Sequence, residues 1–171
     1  MKRRTLFFLL GLIVLAIGWY LFRPERAFIS KTVRESFPAT EQIAGASAAA
    51  PVPLASGRFH GVAHQTRGTA TVYRLPDGKR TLRLTEFETS NGPDVQLYLV
   101  AAQDASDNAT VTKAGFLPLG PLKGYVGDQN YDVPADADLG KYRAVTVWCR
   151  RFGVNFATAP LSSPQTAATS L

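Results

Sequence analysis

"RTLRLTEFETSNGPDVQLYLVAA", residues 80–102, is the stretch whose reading decides the fold. In its first run Leu82 and Leu84 fall on one side of an extended chain and Thr81, Arg83 and Thr85 on the other. In its second, Val95, Leu97 and Leu99 share a face. Successive side chains of a strand point to opposite faces, so a period of two marks strands with one side turned to a core. Asn91-Gly92-Pro93 between the runs is a turn signal.

Two more runs, "RGTATVYRL" (67–75) and "YRAVTVWC" (142–149), are rich in β-branched and aromatic residues. Pro76-Asp77-Gly78, Gly120-Pro121, Gly124 and Gly127-Asp128 separate the runs, and no sustained helical periodicity interrupts them. Residues 56–161 therefore read as one all-β domain, an antiparallel β-sandwich of immunoglobulin-like build, with a closed barrel as the alternative.

The chain has 171 residues and a formal net charge of +6. Residues 1–50 carry seven basic and three acidic side chains, leaving the remainder with twelve and ten. A nearly balanced domain lacks the basic footprint of a nucleic-acid binder, so no nucleic-acid partner is expected. The basic excess brackets an apolar run: Lys2, Arg3 and Arg4 precede residues 5–22, which hold no charge, and Arg23 and Arg26 follow. As a helix those residues would rise roughly 27 Å, near the thickness of a bilayer's hydrocarbon core. Trp19 and Tyr20 stand at the far end, where amphipathic aromatics favour headgroups, and Pro24 discourages continuation.

The reading is a cytoplasmic tail and transmembrane signal anchor over 1–22, a tether over 23–55, the sandwich over 56–161 and a frayed tail over 162–171. "AGASAAA" (44–50) lies too far beyond the apolar run to serve readily as a signal-peptide cleavage site. A short basic tail before the first apolar segment usually stays inside, which places a single-pass protein in the cell membrane with its domain extracytoplasmic. Charge alone does not orient it, since Arg23, Arg26, Lys31 and Arg34 match the first flank.

Standard catalytic constellations are absent, so no stand-alone catalytic activity is expected. His60 and His64 lie about 13 Å apart on a strand, too far to share a metal ion, and no metal site is expected. Glu86 and Glu88 share a strand face and read as solvated. "DVPADAD" (132–138), with Asp136 and Asp138, has the hard ligands calcium takes but lacks the glycine and terminal glutamate of the known loop. "NAT" (108–110) places Asn108 in a polar, loop-like stretch.

Cys149 is the single cysteine of the chain. It shares a strand face with Val145 and Val147, as a buried structural thiol would. Against that reading stand Arg150 and Arg151, whose guanidinium groups would stabilise a thiolate at a strand end. Both readings stay open on the residues alone.

The ordered set of Phe87, Gly92-Pro93-Asp94, Leu122-Lys123-Gly124, Tyr131 with Pro134, and Trp148-Cys149 resembles the DM13 (DM-thirteen) domain, a family labelled electron transfer. The resemblance covers about residues 56–161. It implies an extracytoplasmic sandwich akin to DOMON domains, which bind haem or sugars. It also implies a redox role at Cys149, as a free thiol or a prosthetic-group ligand, with a redox or envelope protein as partner. Trp148, Phe152 and Phe156 would shield the site.

His64 falls where the family pattern has a histidine, and His60 has no such support. Haem in DOMON relatives usually takes a methionine and a histidine. The only methionine here is Met1, so a haem would need His64, Cys149 or both. The alternative function is a non-catalytic binding or adhesion module for a glycan or protein, with Cys149 a core residue.

Overall fold

The structure, a computed structural model, describes residues 2–22, 31–38 and 50–163. Its elements are α1 (Lys2–Phe22), β1 (Val52–Arg58), β2 (His60–Gly61), β3 (Arg67–Arg74), β4 (Arg80–Glu88), β5 (Val95–Val100), α2 (Asn108–Ala114), β6 (Phe116–Pro121), β7 (Gln129–Val133), β8 (Ala144–Cys149) and β9 (Val154–Pro160). The strands form two sheets, ordered β1-β3-β4-β7 and β2-β9-β8-β5-β6. Every pairing between these strands is antiparallel. Two stacked sheets make the expected β-sandwich rather than a closed barrel.

The period-two faces meet in the middle. Leu82 and Leu84 from one sheet pack in the same core as Val95, Leu97, Leu99, Val145, Val147 and Cys149 from the other. Each fully buried leucine there contributes roughly 1.5–3 kcal/mol. The opposite face of the five-stranded sheet is covered too. Tyr98, Val100, Ala144 and Trp148 pack with Ala105 and Val111 in a second cluster. β5 and β8 are therefore buried along their whole length.

Phe87 breaks the parity of Leu82 and Leu84 yet is buried in the same core. The register explains it: Thr69 pairs with Thr85, but Arg67 pairs with Glu88, so β4 carries an extra residue. Glu86 absorbs it in the left-handed region, at φ 50°, and the bulge turns Phe87 inward. Glu86 and Glu88 consequently do not form one regular strand face. Glu88 pairs with Arg67.

The stretch expected as a polar loop around Asn108 contains α2. Asp107 caps it by accepting from Thr110 N at 2.7 Å. Seven residues with one buried position, Val111, are too short to register as a helical period.

Part of the expected tether also lies on the domain. Val33 N donates to Val126 O (2.8 Å), Glu35 N to Asp128 O (2.9 Å) and Tyr125 N to Lys31 O (2.8 Å). Residues 31–35 thus run as an extended strap beside 125–128, parallel at Thr32 and Val126. The sandwich begins at Val52 rather than at 56. It extends to Ser162, whose N–H and C=O bond to Ser56. The rest of the tether, 23–30 and 39–49, and the tail 164–171 lie outside the described residues.

Residues 5–22 are helical as expected, within α1, but the transmembrane helix itself is not found. Among the described residues no helix is long and apolar enough to cross a membrane.

Candidate functional site

The strand ends bring four segments together at one end of the sandwich. β8 ends at Cys149 and β9 begins at Val154, while Val95, the first residue of β5, pairs with Cys149. The turn before β5 therefore lies over the thiol. Cys149 is fully buried and free, and its Sγ–H donates to Pro93 O at 3.1 Å.

The next residue, Asp94, sits in the left-handed region at φ 62°. Its C=O accepts from Arg150 N at 3.0 Å. Its carboxylate takes Arg150 side-on, with Nε to Oδ2 at 2.8 Å and Nη2 to Oδ1 at 3.2 Å, and accepts from Gln96 Nε2 at 2.6 Å. The Arg150 guanidinium holds the Asp94 carboxyl below the usual carboxylate range, with Gln96 and Arg151 adding to the effect.

Arg150 is thus clamped to Asp94 instead of pointing at the thiol. Arg151 and Phe152 lie exposed at the hairpin tip. Trp148 faces the second cluster, under α2. Of the three aromatics expected to shield Cys149, only Phe156 shares its core.

His64 reaches the same end by another route. Val62 N and His64 N both donate to Phe156 O, at 2.9 and 3.1 Å. The imidazole lies on the Phe156 ring with centroids 3.8 Å apart. Gly92 is what lets that ring sit against the turn, since a Cβ there would come 2.8 Å from Phe156 Cζ. His64 and Cys149 are therefore both tied to the Gly92–Asp94 turn, one through Phe156 and the other through Pro93. His60 is elsewhere: it pairs with Thr158 across β9, and its Nε2 lies 3.0 Å from Asp104 Oδ2.

A cleft of about 680 Å³ is lined by Gly61, Val62, Ala63, His64, Gln65, Thr66, Arg67 and Glu88. Cys149 is not in its wall. A haem liganded by both His64 and Cys149 does not fit this arrangement, because one side chain faces the cleft and the other is sealed in the core. Among the described residues no group of three or more His, Cys, Asp or Glu is placed to hold a metal ion. Asp138 of the "DVPADAD" stretch instead closes a turn, accepting from Gly140 N at 2.8 Å.

The sequence reading missed a polar cluster that fastens the strap. Lys123 Nζ donates to both Glu35 carboxylate oxygens (2.9 and 3.1 Å) and to Asn130 O (2.6 Å). Asn130 N donates to Glu35 Oε2 at 2.7 Å. Arg83 donates to Glu35 O (3.2 Å), Asn130 Oδ1 (2.9 Å) and Asp128 Oδ2 (2.8 Å). Beneath it the buried Gln129 accepts from Gly124 N and from the Tyr131 hydroxyl, which itself accepts from Lys123 N. Burial raises the Tyr131 phenol and keeps it a donor. Lys123-Gly124 and Tyr131 belonged to the ordered set behind the resemblance, and these bonds show what they do.

Burial alone would raise Glu35, but Lys123, the Asn130 N–H and Arg83 outweigh it and hold the carboxyl below its ordinary value. A carboxyl depressed by folding stabilises fully above its unfolded pKa and loses that contribution as pH falls through the folded value. Glu35→Gln is expected to cost about 1 kcal/mol at pH 7 and next to nothing once wild-type Glu35 is protonated. Urea unfolding at neutral pH and in acid strong enough to protonate the folded-state carboxyl measures both, and an equal cost under the two conditions contradicts the ion-pair account.

Fold and site together define an antiparallel β-sandwich with one free cysteine enclosed beneath a glycine-proline turn. The family model described as Electron transfer DM13 matches residues 58–161, and the chain belongs to this family. Comparison with curated proteins and with solved structures gives no match.

Proposed function

We propose that the chain is a redox protein that works outside the cytoplasm, attached to a membrane through residues 5–22, with Cys149 as its redox group and a redox or envelope protein as its partner. The observation that carries this reading is the enclosed free thiol of Cys149 within an electron-transfer family domain. Enclosure suits selectivity: a thiol on Pro93 O, shut in by the Gly92–Asp94 turn, is kept from indiscriminate oxidants. Access runs through that turn, which the Asp94–Arg150 clamp holds shut.

Attachment is supported by α1. It exposes Phe7, Phe8, Leu9, Leu12, Ile13, Leu15, Trp19 and Tyr20 on all sides, a surface that calls for an apolar environment. Alkaline carbonate extraction of native membranes tests attachment, and release into the supernatant would contradict it. An absorption spectrum of the full chain, taken with and without reductant, tests the redox reading. A visible band that changes on reduction and is lost in Cys149→Ser supports a chromophore on that sulfur. With no band, a mass change of Cys149 on reduction of the native protein is required. Absence of both sinks the reading.

The complete burial of Cys149 favours a second reading, a binding module for a glycan or protein with a structural cysteine. Both readings expect Cys149→Ser to cost about 1–2 kcal/mol, since a more polar, smaller group replaces a buried thiol. Thermal unfolding reads that cost. Partner binding undiminished in the folded variant, with no redox change in the wild type, selects the second reading.

A further inference from the structure

The sandwich end that holds Cys149 also faces the N-terminal helix along the chain. The strap enters there: Lys31 O accepts from Tyr125 N, and the strap then runs inward until Glu35 N meets Asp128 O. Tyr125 marks the extremity, since its hydroxyl donates to Gly92 O at 2.9 Å. Eight residues separate Phe22 from Lys31, and a chain of that length spans at most about 30 Å. Whatever takes up the apolar surface of α1 is therefore tethered to the domain at this end, by a connection that reaches at most about 30 Å.

The same end carries surface features that suit a lipid face. Phe152, 68% exposed, projects at the tip of the β8–β9 hairpin. Arg151 beside it and Lys31 at the mouth of the strap are exposed, and neither makes an ion pair among the described residues. Asp94, the acidic group next to the tip, is already neutralised by Arg150. An aromatic flanked by such cations is the combination that enters an anionic headgroup layer.

We propose that this end of the sandwich, through Phe152, Arg151 and Lys31, docks on an anionic phospholipid surface. The proposal rests on membrane attachment through α1. It sets the Gly92–Asp94 turn and Cys149 close to the bilayer and leaves the opposite end, with His60 and Asp104, facing away.

The test uses the full chain in nanodiscs containing brominated phospholipids, either phosphatidylglycerol mixed with phosphatidylcholine or phosphatidylcholine alone. Trp19 reports α1. Phe152→Trp in a Trp19→Phe background reports the tip, with the Trp19→Phe parent giving the contribution of buried Trp148.

Docking predicts blue-shifted, quenched fluorescence from the Phe152→Trp reporter in the anionic discs, and Arg151→Glu is expected to reduce docking about fivefold or more. Quenched Trp19 with an unquenched tip reporter overturns docking and leaves attachment standing. Both unquenched overturns docking and attachment together. Equal quenching of the tip reporter in neutral and anionic discs overturns the anionic surface as the occupant.

Discussion

Cys149 in the folded chain will react with iodoacetamide at least about a thousandfold more slowly than in denaturant at the same pH. The side chain has no exposed surface, pairs across β8 with Val95 and Val154, and donates to Pro93 O. Reagent can reach it only after an opening. A thousandfold protection corresponds to an opening free energy of about 4 kcal/mol, modest against the ~5–15 kcal/mol of a whole domain. Mass spectrometry of timed aliquots gives both rates, and equal rates would refute the enclosure.

The size of the protection also reports which opening admits reagent. If the whole fold must unfold, Asp94→Ala changes protection only as much as it changes global stability. If the Gly92–Asp94 turn lifts alone, Asp94→Ala frees Arg150 and speeds native alkylation with little change in unfolding. The redox reading requires the second behaviour, because a partner must reach the thiol of a folded protein.

The strand faces were legible because both sheets bury their inner side, and burial imposes a period of two on the sequence. Val145, Val147 and Cys149 lie on the core side as their spacing implied, and that placement bears on the cysteine more than its neighbours do. The two arginines were visible, but their targets were not. Arg150 finds Asp94 across a separation of 56 residues, and the turn signal around Asp94 says nothing of which distant side chain its carboxylate will meet.

Other features escaped for related reasons. The bulge at Glu86 shifts one residue, which alternation shows only as an odd phenylalanine. "KTVRES" has too few apolar residues to look like a strand. It is ordered by its partners, Val126, Asp128 and Lys123, all nearly a hundred positions away. Local pattern reports which side is buried, whereas long-range polar pairing decides what the buried groups touch.

Gly127→Val is expected to cost about 3–5 kcal/mol or to detach the strap. Gly127 has φ +102°, and a Cβ there would overlap the Val33 carbonyl oxygen. A β-branched residue in that backbone conformation pays roughly 1–2 kcal/mol before any clash. The clash can be relieved only by moving β-structure on one side or the strap on the other. Gly127 N is bonded to Phe87 O, anchoring it to the core, so the strap is the side that yields.

Yielding removes the Val33–Val126 and Glu35–Asp128 bonds and leaves Lys123 and Arg83 without Glu35. Limited proteolysis with trypsin would then cut after Lys31 or Arg34 while the sandwich core stays intact, and thermal unfolding would fall. Wild-type resistance at those two sites is the control. A variant with unchanged melting and unchanged cleavage would show that the strap does not pack at Gly127. If the strap detaches, the reach from α1 to the domain lengthens beyond the eight residues that now set it. Docking of Phe152 on lipid would then weaken together with the strap, linking the polar cluster at Lys123 to the orientation of the thiol end.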